Sequence, residues 1–424
     1  MEFILIAIFA IGYSAIILEH KINVNKAASA LLTGVLCWSI ITLLSTIGTD
    51  RALTELEHHL SETASILLFL IGAMTIVEVI DSHGGFRLVT DSIQTKDKRK
   101  LLWIIGGITF FLSAALDNLT TTIVMVSLLS KLIGKREDRL IFAAIVVIAA
   151  NAGGAWTPIG DVTTTMLWIG EKISTGATIS HLFLPSLVNL LVPLIAFSFI
   201  LKGKVVPPSK SLVQVETHLL PKSLRRSILI VGVAALLFVP IFKTITHLPP
   251  YMGISLGLGV VWVYTELVYR KRSGLLRASH SVTRALSNVD MTTILFFLGI
   301  LLSVGALQTT GILSQLAGWL DSTIGNQSLV VSAIGLISAV IDNVPLVAAA
   351  QGMYTYPLND FFWLFLAYAA GTGGSILIIG SAAGVAAMGM EKIDFIWYLK
   401  KVSMWALLGY AAGALTYIGI CQLI

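Results

Sequence analysis

Residues 113–122 read Ser-Ala-Ala-Leu-Asp-Asn-Leu-Thr-Thr-Thr and place the pair Asp117-Asn118 near the middle of an apolar stretch, 102–130. Each apolar arm has about 10–15 residues, whereas a helix needs about 20 residues to cross the hydrocarbon core of a bilayer. Lys and Arg cluster on both sides of the stretch, and short loops rich in these residues face the cytoplasm. The stretch is therefore predicted to be a re-entrant hairpin that enters and leaves on the cytoplasmic side.

A second stretch, 328–353, has the same design with the opposite charge pattern. Residues 338–345 read Ser-Ala-Val-Ile-Asp-Asn-Val-Pro, which places Asp342-Asn343 near its centre. Its flanks, 309–327 and 354–360, contain no Lys or Arg. Because basic residues accumulate in cytoplasmic loops rather than external ones, this segment is predicted to be a second hairpin that enters from the outside.

The whole chain has the composition of a membrane protein. Of its 424 residues, 56% are hydrophobic and 12% are charged, whereas an ordinary soluble domain has about 25% charged residues. This composition excludes disorder and argues against a soluble enzyme, and spanning β-strands would show short alternating segments. We predict an all-α polytopic membrane protein with about ten transmembrane helices plus two re-entrant hairpins. The helices are expected near 3–19, 27–47, 64–81, 140–169, 182–201, 227–246, 251–269, 291–308, 361–390 and 402–422.

The basic residues support this arrangement. With an external N-terminus, all Lys and Arg except Arg51, Lys172 and Lys243 fall on the cytoplasmic side, and both termini are predicted to be external. The net charge of +5 lies mainly in short loops and does not indicate nucleic-acid binding. The first apolar run lacks a basic start and is expected to be a retained span rather than a cleaved signal. Cys37 and Cys421 lie singly in apolar runs, so neither a disulfide nor a metal site is predicted.

The two halves of the chain resemble each other in order. Residues 67–72, Leu-Leu-Phe-Leu-Ile-Gly, match 294–299, Ile-Leu-Phe-Phe-Leu-Gly, and each precedes an Asp-Asn hairpin. The first matching span is predicted to run inward and the second outward, which makes an inverted repeat, a recurring design of secondary transporters. The predicted division is 1–63 as N-terminal scaffold helices, 64–201 as the first repeat, 202–226 as a cytoplasmic linker, 227–290 as scaffold helices with a cytoplasmic loop, and 291–424 as the second repeat.

A broken helix is predicted in each repeat, over 140–169 and 361–390. Residues 149–161, Ala-Ala-Asn-Ala-Gly-Gly-Ala-Trp-Thr-Pro-Ile-Gly-Asp, match 369–381, Ala-Ala-Gly-Thr-Gly-Gly-Ser-Ile-Leu-Ile-Ile-Gly-Ser. Pro158 has no amide donor and its ring clashes with the preceding turn. A break at membrane depth is tolerated where the backbone lines a buried or wet cavity. The alternative is that the glycine pairs serve only close helix packing.

Three carboxylates, those of Asp117, Asp161 and Asp342, are predicted to lie deep in the membrane without a Lys or Arg partner. An ionised Asp at the bilayer centre costs at least about 2.5 kcal/mol, so each is expected to hold a cation or a proton. Asp342 has the alternative of capping a helix, and the threonines that of bonding their own backbone. The nearby hydroxyls and amides that offer oxygen ligands are Asn118, Thr120, Thr121, Thr122, Asn151, Thr157, Thr163, Thr164, Thr165, Ser338, Asn343, Thr372, Ser375 and Ser381.

A buried carboxylate that binds either a proton or Na⁺ couples the two ions. Burial raises the affinity of the carboxylate for a proton, and a bound cation lowers it. Competition at one site therefore exchanges outward Na⁺ for inward H⁺, while the hairpins and broken helices carry the site between the two faces. No cofactor is predicted, and the expected partners are Na⁺ or Li⁺, H⁺ and the lipid bilayer.

The segments 113–122, 151–165 and 338–345 together resemble the signatures of NhaD-type sodium/proton antiporters. These belong to an ion-transporter superfamily that includes arsenite permeases and divalent-anion/sodium symporters. The resemblance covers nearly the whole chain and implies that Na⁺ or Li⁺ is extruded in exchange for H⁺. It also implies a scaffold domain beside an inverted-repeat transport domain, a homodimer with elevator-like motion, and a bacterial cytoplasmic (inner) membrane.

The resemblance also assigns site residues by position. Among the residues named above, the functional positions fall on Asp117, Asn118, Asn151, Asp161, Thr163, Thr164, Ser338, Asp342, Asn343, Ser375 and Ser381, to which the hydroxyl of Thr157 is added. The predicted Na⁺ ligands are Asp117, Asn118, Asp161 and Asn343. Where the first half has Asn151 and Asp161, the second has Gly371 and Ser381, so the number of cation sites stays open.

Two other functions fit parts of this pattern. A sodium-coupled carrier of an organic anion or arsenite on the same scaffold would bind its substrate at half-helix N-termini or with an intramembrane Arg. An intramembrane aspartyl enzyme would use Asp117 and Asp342 as an acid/base pair that shares one proton. The acidic hairpin tips disfavour the anion carrier, and the hydroxyl-rich surroundings favour cation binding over the enzyme.

Overall fold

The computed structural model is all-helical over the residues it describes, which are 1–44, 48–90, 93, 95–206, 220–270 and 281–423. Within these ranges there is no β-strand, only an isolated antiparallel bridge between Asp97 and Lys204. The prediction of an all-α protein is confirmed. The centre of the predicted linker, 207–219, and part of the predicted cytoplasmic loop, 271–280, lie outside the described residues.

Eight helices in the described ranges are long and apolar enough to cross a membrane, namely Lys26–Leu44, Thr49–Ser82, Arg136–Ala155, Thr175–Ile200, Lys222–Thr246, Pro250–Tyr269, Met291–Thr309 and Ser403–Gln422. The protein is therefore a multi-pass membrane protein. Two of the ten predicted spans are not among the eight, because the first helix, Glu2–Ile17, has 16 residues and 361–390 is divided between the helices Phe361–Gly373 and Ala382–Glu391. The helices are α1 Glu2–Ile17, α2 Glu19–Ile22, α3 Lys26–Leu44, α4 Thr49–Ser82, α5 Gly85–Thr90, α6 Lys98–Ser113, α7 Asn118–Leu132, α8 Arg136–Ala155, α9 Val162–Ile169, α10 Thr175–Ile200, α11 Lys222–Thr246, α12 Pro250–Tyr269, α13 Val282–Asn288, α14 Met291–Thr309, α15 Ile312–Ile324, α16 Gln327–Ile337, α17 Asn343–Met353, α18 Phe361–Gly373, α19 Ala382–Glu391, α20 Phe395–Lys401 and α21 Ser403–Leu423.

Helix α4 is much longer than the span 64–81 predicted within it. It has 34 residues, which makes it about 51 Å long at 1.5 Å per residue. Its first part carries Glu55, Glu57 and Glu62, and Glu is a good helix former. Charged residues end the apolar part of this helix without ending its backbone hydrogen bonding, so the predicted start is too late.

Two helices form the centre of the molecule. Every residue from Phe142 to Ala155 in α8 and from Phe362 to Gly373 in α18 is buried, which is typical of helical segments that are apolar on all sides. Helices α6 and α7 pack against α8, and α16 and α17 pack against α18. Helix α8 also contacts α18, so the first and second halves of the chain meet at these two helices.

The glycine-rich segment of each half interrupts a helix, between α8 and α9 and between α18 and α19. Close packing accounts for the glycines before the breaks. A Cβ atom on Gly153 would overlap the backbone carbonyl of Phe110, and one on Gly373 would overlap that of Gly335. The two contacts correspond, because Phe110 and Gly335 hold the same position relative to the Asp-Asn motif of their own half. Each half of the chain therefore contains both a helix break and a glycine that packs closely against a neighbouring backbone.

Alanine at either of these glycines is expected to destabilise the folded protein. The added methyl group meets backbone atoms, which cannot move aside as a flexible side chain would, so the loss should reach or exceed about 3 kcal/mol. Gly107→Ala is the matched control, because Gly107 lies in α6 with open space at its Cβ position. Thermal unfolding in detergent, followed by size exclusion, should show Gly153→Ala and Gly373→Ala melting well below Gly107→Ala. Equal melting temperatures would contradict the close packing.

Candidate ion-binding site

Four side chains of the predicted site occupy the N-cap positions of helices that follow a break or a hairpin turn. Asp117 precedes α7, Asp161 precedes α9, Asp342 precedes α17 and Ser381 precedes α19. Each accepts a hydrogen bond from a backbone N–H of its helix, at 2.8–3.2 Å. Asp and Ser are favoured at N-caps, and the positive end of a helix stabilises a carboxylate. Local hydrogen bonds therefore hold these four side chains at the helix starts. Asp342 does cap a helix, as its alternative role predicted.

Amide side chains connect the two breaks. Asn118 Nδ2 donates to Asp161 Oδ2 at 2.9 Å and to Asn151 Oδ1 at 3.0 Å. Asn151 Nδ2 in turn donates to Ser381 Oγ at 2.9 Å. These four residues are at most 4% exposed, and Gly371, the counterpart of Asn151, lies beside Asp161 without a side chain. The network joins both halves of the chain around one buried carboxylate.

Asp117 lies outside this network but acts on it. Its two carboxylate oxygens accept the backbone N–H and the hydroxyl of Thr120, at 2.8 and 2.7 Å, and the residue is partly exposed. The charges of Asp117 and Asp342 both act on Asp161. Because like charges disfavour simultaneous ionisation, a bound cation or proton stabilises the three acids together.

Several buried polar atoms beside these acids have no hydrogen-bond partner within the described ranges, namely the hydroxyls of Thr121, Thr122 and Thr163 and the Nδ2 of Asn343. A buried polar group left without a partner costs about 1–3 kcal/mol. Hydroxyl and carboxylate oxygens are suitable ligands for small hard cations. Helices α7 and α9 therefore offer, close to their N-termini, buried oxygen atoms that a small cation can use.

The remaining hydroxyl residues of the predicted site donate their protons to backbone carbonyls, as the alternative for membrane threonines anticipates. These hydrogen bonds hold the backbone at the breaks and turns. Ser338 and Ser375 do not join the amide network, whereas Thr164 lies on the first turn of α9 beside it. The bonds, at 2.7–2.9 Å, run from Thr157 to Ala114, from Thr164 to Asp161, from Ser338 to Gly335 and from Ser375 to Thr372.

The comparison with known proteins identifies the family. The sequence model of the family described as "Citrate transporter" matches residues 13–371. The chain belongs to this family. It is 51% identical to sodium/proton antiporter 1 of Arabidopsis thaliana over 98% of this chain and 72% of that protein. It is 50% identical to sodium/proton antiporter 2 of the same plant over 97% of this chain and 98% of the relative.

A bacterial relative extends the comparison. The Na(+)/H(+) antiporter NhaD of Vibrio cholerae is 31% identical over 97% of this chain and 90% of the relative. The resemblance to NhaD-type antiporters, inferred above from the three acidic motifs, is confirmed. The similarity to this antiporter therefore extends over nearly the whole chain.

One prediction about the acids was wrong, because Asp342 has a basic partner. Lys26 Nζ, at the start of α3, lies 3.4 Å from Asp342 Oδ2. A lysine side chain reaches some distance from its backbone and keeps its charged end apart from an apolar stem. The position of Lys26 just before an apolar run places its backbone at the edge of a span but does not show where its ammonium group lies.

Sequence reasoning also missed two donors at the other end of α9. Lys243 Nζ donates to the Trp168 carbonyl at 2.9 Å, and Gln351 Nε2 donates to the Met166 carbonyl at 3.3 Å. A cation at a helix C-terminus is stabilised by the helix dipole. The available signal for Lys243 was its place among the three basic residues that the predicted topology does not put on the cytoplasmic side. Both carbonyls also accept backbone N–H groups, of Gly170 and Glu171, so the two side chains add a second donor to each carbonyl in the last turn of α9.

Proposed function

We propose that this protein exports Na⁺ or Li⁺ in exchange for H⁺ by competition of the two ions at buried carboxylates. The observation that carries the proposal is the Asp161–Asn118–Asn151 network, buried beside hydroxyls that lack hydrogen-bond partners in the described ranges. When Asp161 is ionised, its carboxylate and the neighbouring oxygens bind the cation. When it is protonated, the charge that holds the cation is lost. The relatives named as sodium/proton antiporters support the same exchange.

The helix starts tune this competition. Asp117 and Asp161 each accept an N–H bond from the helix that follows, which favours the ionised carboxylate, whereas burial opposes it. The two effects act in opposite directions, so neither ion holds the site permanently. An exchanger needs such a balance, because a carboxylate bound irreversibly by one ion would stop the cycle.

We also propose the finer architecture predicted from the sequence. Helices α6–α7 and α16–α17 form the two re-entrant hairpins, and the regions 64–201 and 291–424 are inverted repeats beside scaffold regions 1–63 and 227–290. Corresponding contacts support the repeat. Ser113 donates to the Ala150 carbonyl, and its counterpart Ser338 reaches the Ala370 carbonyl.

The orientation and assembly are proposed on the same basis. Ten crossings in total, with both termini outside, agree with the distribution of Lys and Arg, and the NhaD resemblance supports an elevator-like homodimer. Cross-linking of the full chain in membranes tests the dimer, and labelling of single cysteines at the termini tests the orientation. A bacterial cytoplasmic membrane stays a prediction, since the named relatives come from a plant as well as from a bacterium.

The alternative is a sodium-coupled carrier of an organic anion or of arsenite, which the family description "Citrate transporter" favours. Helix N-termini are natural anion sites. In this protein, however, α7, α9 and α17 begin at the carboxylates of Asp117, Asp161 and Asp342. These carboxylates occupy the helix ends and repel a second negative charge. The antiporter therefore fits the geometry better.

Everted membrane vesicles that contain the full chain and carry a preformed pH gradient test the proposal. NaCl or LiCl should dissipate the gradient at once, and vesicles from cells that lack the protein should not respond. Dissipation that occurs only when citrate, succinate or arsenite is added, and not with NaCl or LiCl alone, would identify the anion carrier instead. Failure of every substrate to move the gradient would contradict both functions.

A further inference from the structure

The ion pair between Lys26 and Asp342 joins parts of the chain that lie 316 residues apart. Lys26 is the first residue of α3, and Asp342 is the N-cap of α17. Their side chains are 28% and 20% exposed, so the pair is partly screened from solvent but not sealed. A transported cation and the Lys26 ammonium group therefore have access to the same carboxylate.

The two oxygens of Asp342 have different partners. Oδ1 accepts the Val344 N–H at 3.2 Å and caps α17, whereas Oδ2 faces Lys26 Nζ at 3.4 Å. The capping bond is part of the fold of the hairpin and can persist through transport. Oδ2 is therefore the oxygen through which Asp342 would bind a cation, and the lysine occupies it.

The ammonium group is held in place by its other neighbours. It lies 4.3 Å from the centre of the Phe296 ring on α14, a favourable cation–π distance. The backbone N–H of Lys26 donates to Glu19 Oε1 at 3.2 Å. Helices α3 and α14 pack closely against each other, as shown by Gly299, where an added Cβ atom would overlap the backbone of Ala30. The lysine thus belongs to the closely packed pair α3 and α14, and α17, which follows Asp342, packs against α14.

We propose that Lys26 is a tethered competitor, whose ammonium group occupies Asp342 and must be displaced before that carboxylate can bind an alkali cation. Lys26 thereby sets the apparent affinity of the antiporter for Na⁺ and Li⁺. Its positive charge acts in the same direction through space, because Asp342 acts electrostatically on Asp161 and a neutralised Asp342 attracts a cation less. The inference rests on the proposed function and identifies a positioning residue outside the three acidic motifs.

The Na⁺ dependence of the exchange tests this role in everted vesicles that contain the full chain. Lys26→Gln removes the competing charge and should lower the Na⁺ concentration for half-maximal dissipation by about fivefold, the size expected for a partly exposed ion pair. Lys26→Arg keeps the charge and can hold the carboxylate through two parallel hydrogen bonds, so it should raise that concentration. Lys21→Gln is the matched control, since Lys21 is an exposed neighbour in α2, and it should behave as the unmodified protein does.

The order Gln below Lys below Arg is the result that supports the proposal, and any other order overturns it. A purely structural role would lower the amount of protein or the maximal rate in both variants, rather than shift the half-maximal concentration in opposite directions. If Lys26→Gln does not fold, Lys26→Arg alone decides, because an unchanged or lowered half-maximal concentration overturns the proposal. An unmodified protein without any Na⁺ or Li⁺ response contradicts the proposed function itself and is distinguishable from failure of the variants alone.

Discussion

Asp161→Asn is expected to abolish the dissipation of a pH gradient by NaCl and LiCl. The amide oxygen of asparagine still accepts the Thr163 N–H, so the N-cap of α9 is retained, while the charge is lost. A cation that enters a buried site without its counter-charge loses several kcal/mol of stabilisation, and a loss of about 3 kcal/mol corresponds to more than a hundredfold in rate or affinity. Initial rates of dissipation in everted vesicles, normalised to the amount of protein, measure the effect.

Asp97→Asn is the matched control for this variant. Asp97 is also a helix N-cap, and its carboxylate accepts the Lys100 N–H at 2.9 Å, but it lies at the start of α6, outside the network around Asp161. The same chemical change there should leave the exchange rate close to that of the unmodified protein. A substantial rate in Asp161→Asn vesicles would show that Asp161 is not the carboxylate on which the ions compete.

Asn118→Leu is expected to raise the Na⁺ concentration for half-maximal exchange by at least about tenfold. The substitution keeps the approximate size of the side chain but removes the donor that Asp161 Oδ2 and Asn151 Oδ1 share. A hydrogen bond to a charged group is worth about 1.5–3 kcal/mol. Without it the ionised form of Asp161 is less stable, protons compete better with Na⁺, and one amide oxygen ligand is lost. The Na⁺ dependence of gradient dissipation at fixed pH measures the change.

Asn288→Leu is the control for the loss of an amide donor. Asn288 Nδ2 donates to Glu78 Oε1 at 2.8 Å, which is the same kind of bond to a carboxylate, at an exposed position far along the chain from the network. Its removal should leave the Na⁺ dependence unchanged. An Asn118→Leu protein that folds and has the unmodified half-maximal concentration would remove Asn118 from the site.

Most helix breaks and helix starts near the site depend on residues close to them in the sequence, so the sequence alone was informative about them. The break after α8 was predicted from the Gly-Gly and Thr-Pro pattern, and the positions of Asp117 and Asp161 at helix starts follow from the strong N-cap preference of Asp. The start of α4 was predicted too late, because the charges that end its apolar part do not end its helix. In each case the position at which the helix breaks or begins depended on residues within a few helical turns of one another.

The contacts of the site were much less predictable. The bond from Asn151 to Ser381 joins residues 230 positions apart, and nothing in either segment specifies the partner. Corresponding motifs in the two halves predicted that these segments play similar roles, but not that an amide of one would reach the hydroxyl of the other. Such pairs depend on how α8 and α18 pack, which is a property of the whole chain.

Composition and acidic motifs were enough to predict a helical membrane protein of this transporter family, because folding does not change them. The sequence also identified the carboxylates of Asp117, Asp161 and Asp342 as candidates, because a charged residue within an apolar run can be recognised without coordinates. Helix packing determines which of these carboxylates lies in a buried amide network and which has a lysine beside it. The physical reason is that a charge is stabilised by whatever lies within a few ångströms of it, and helix packing brings those groups together from distant parts of the chain.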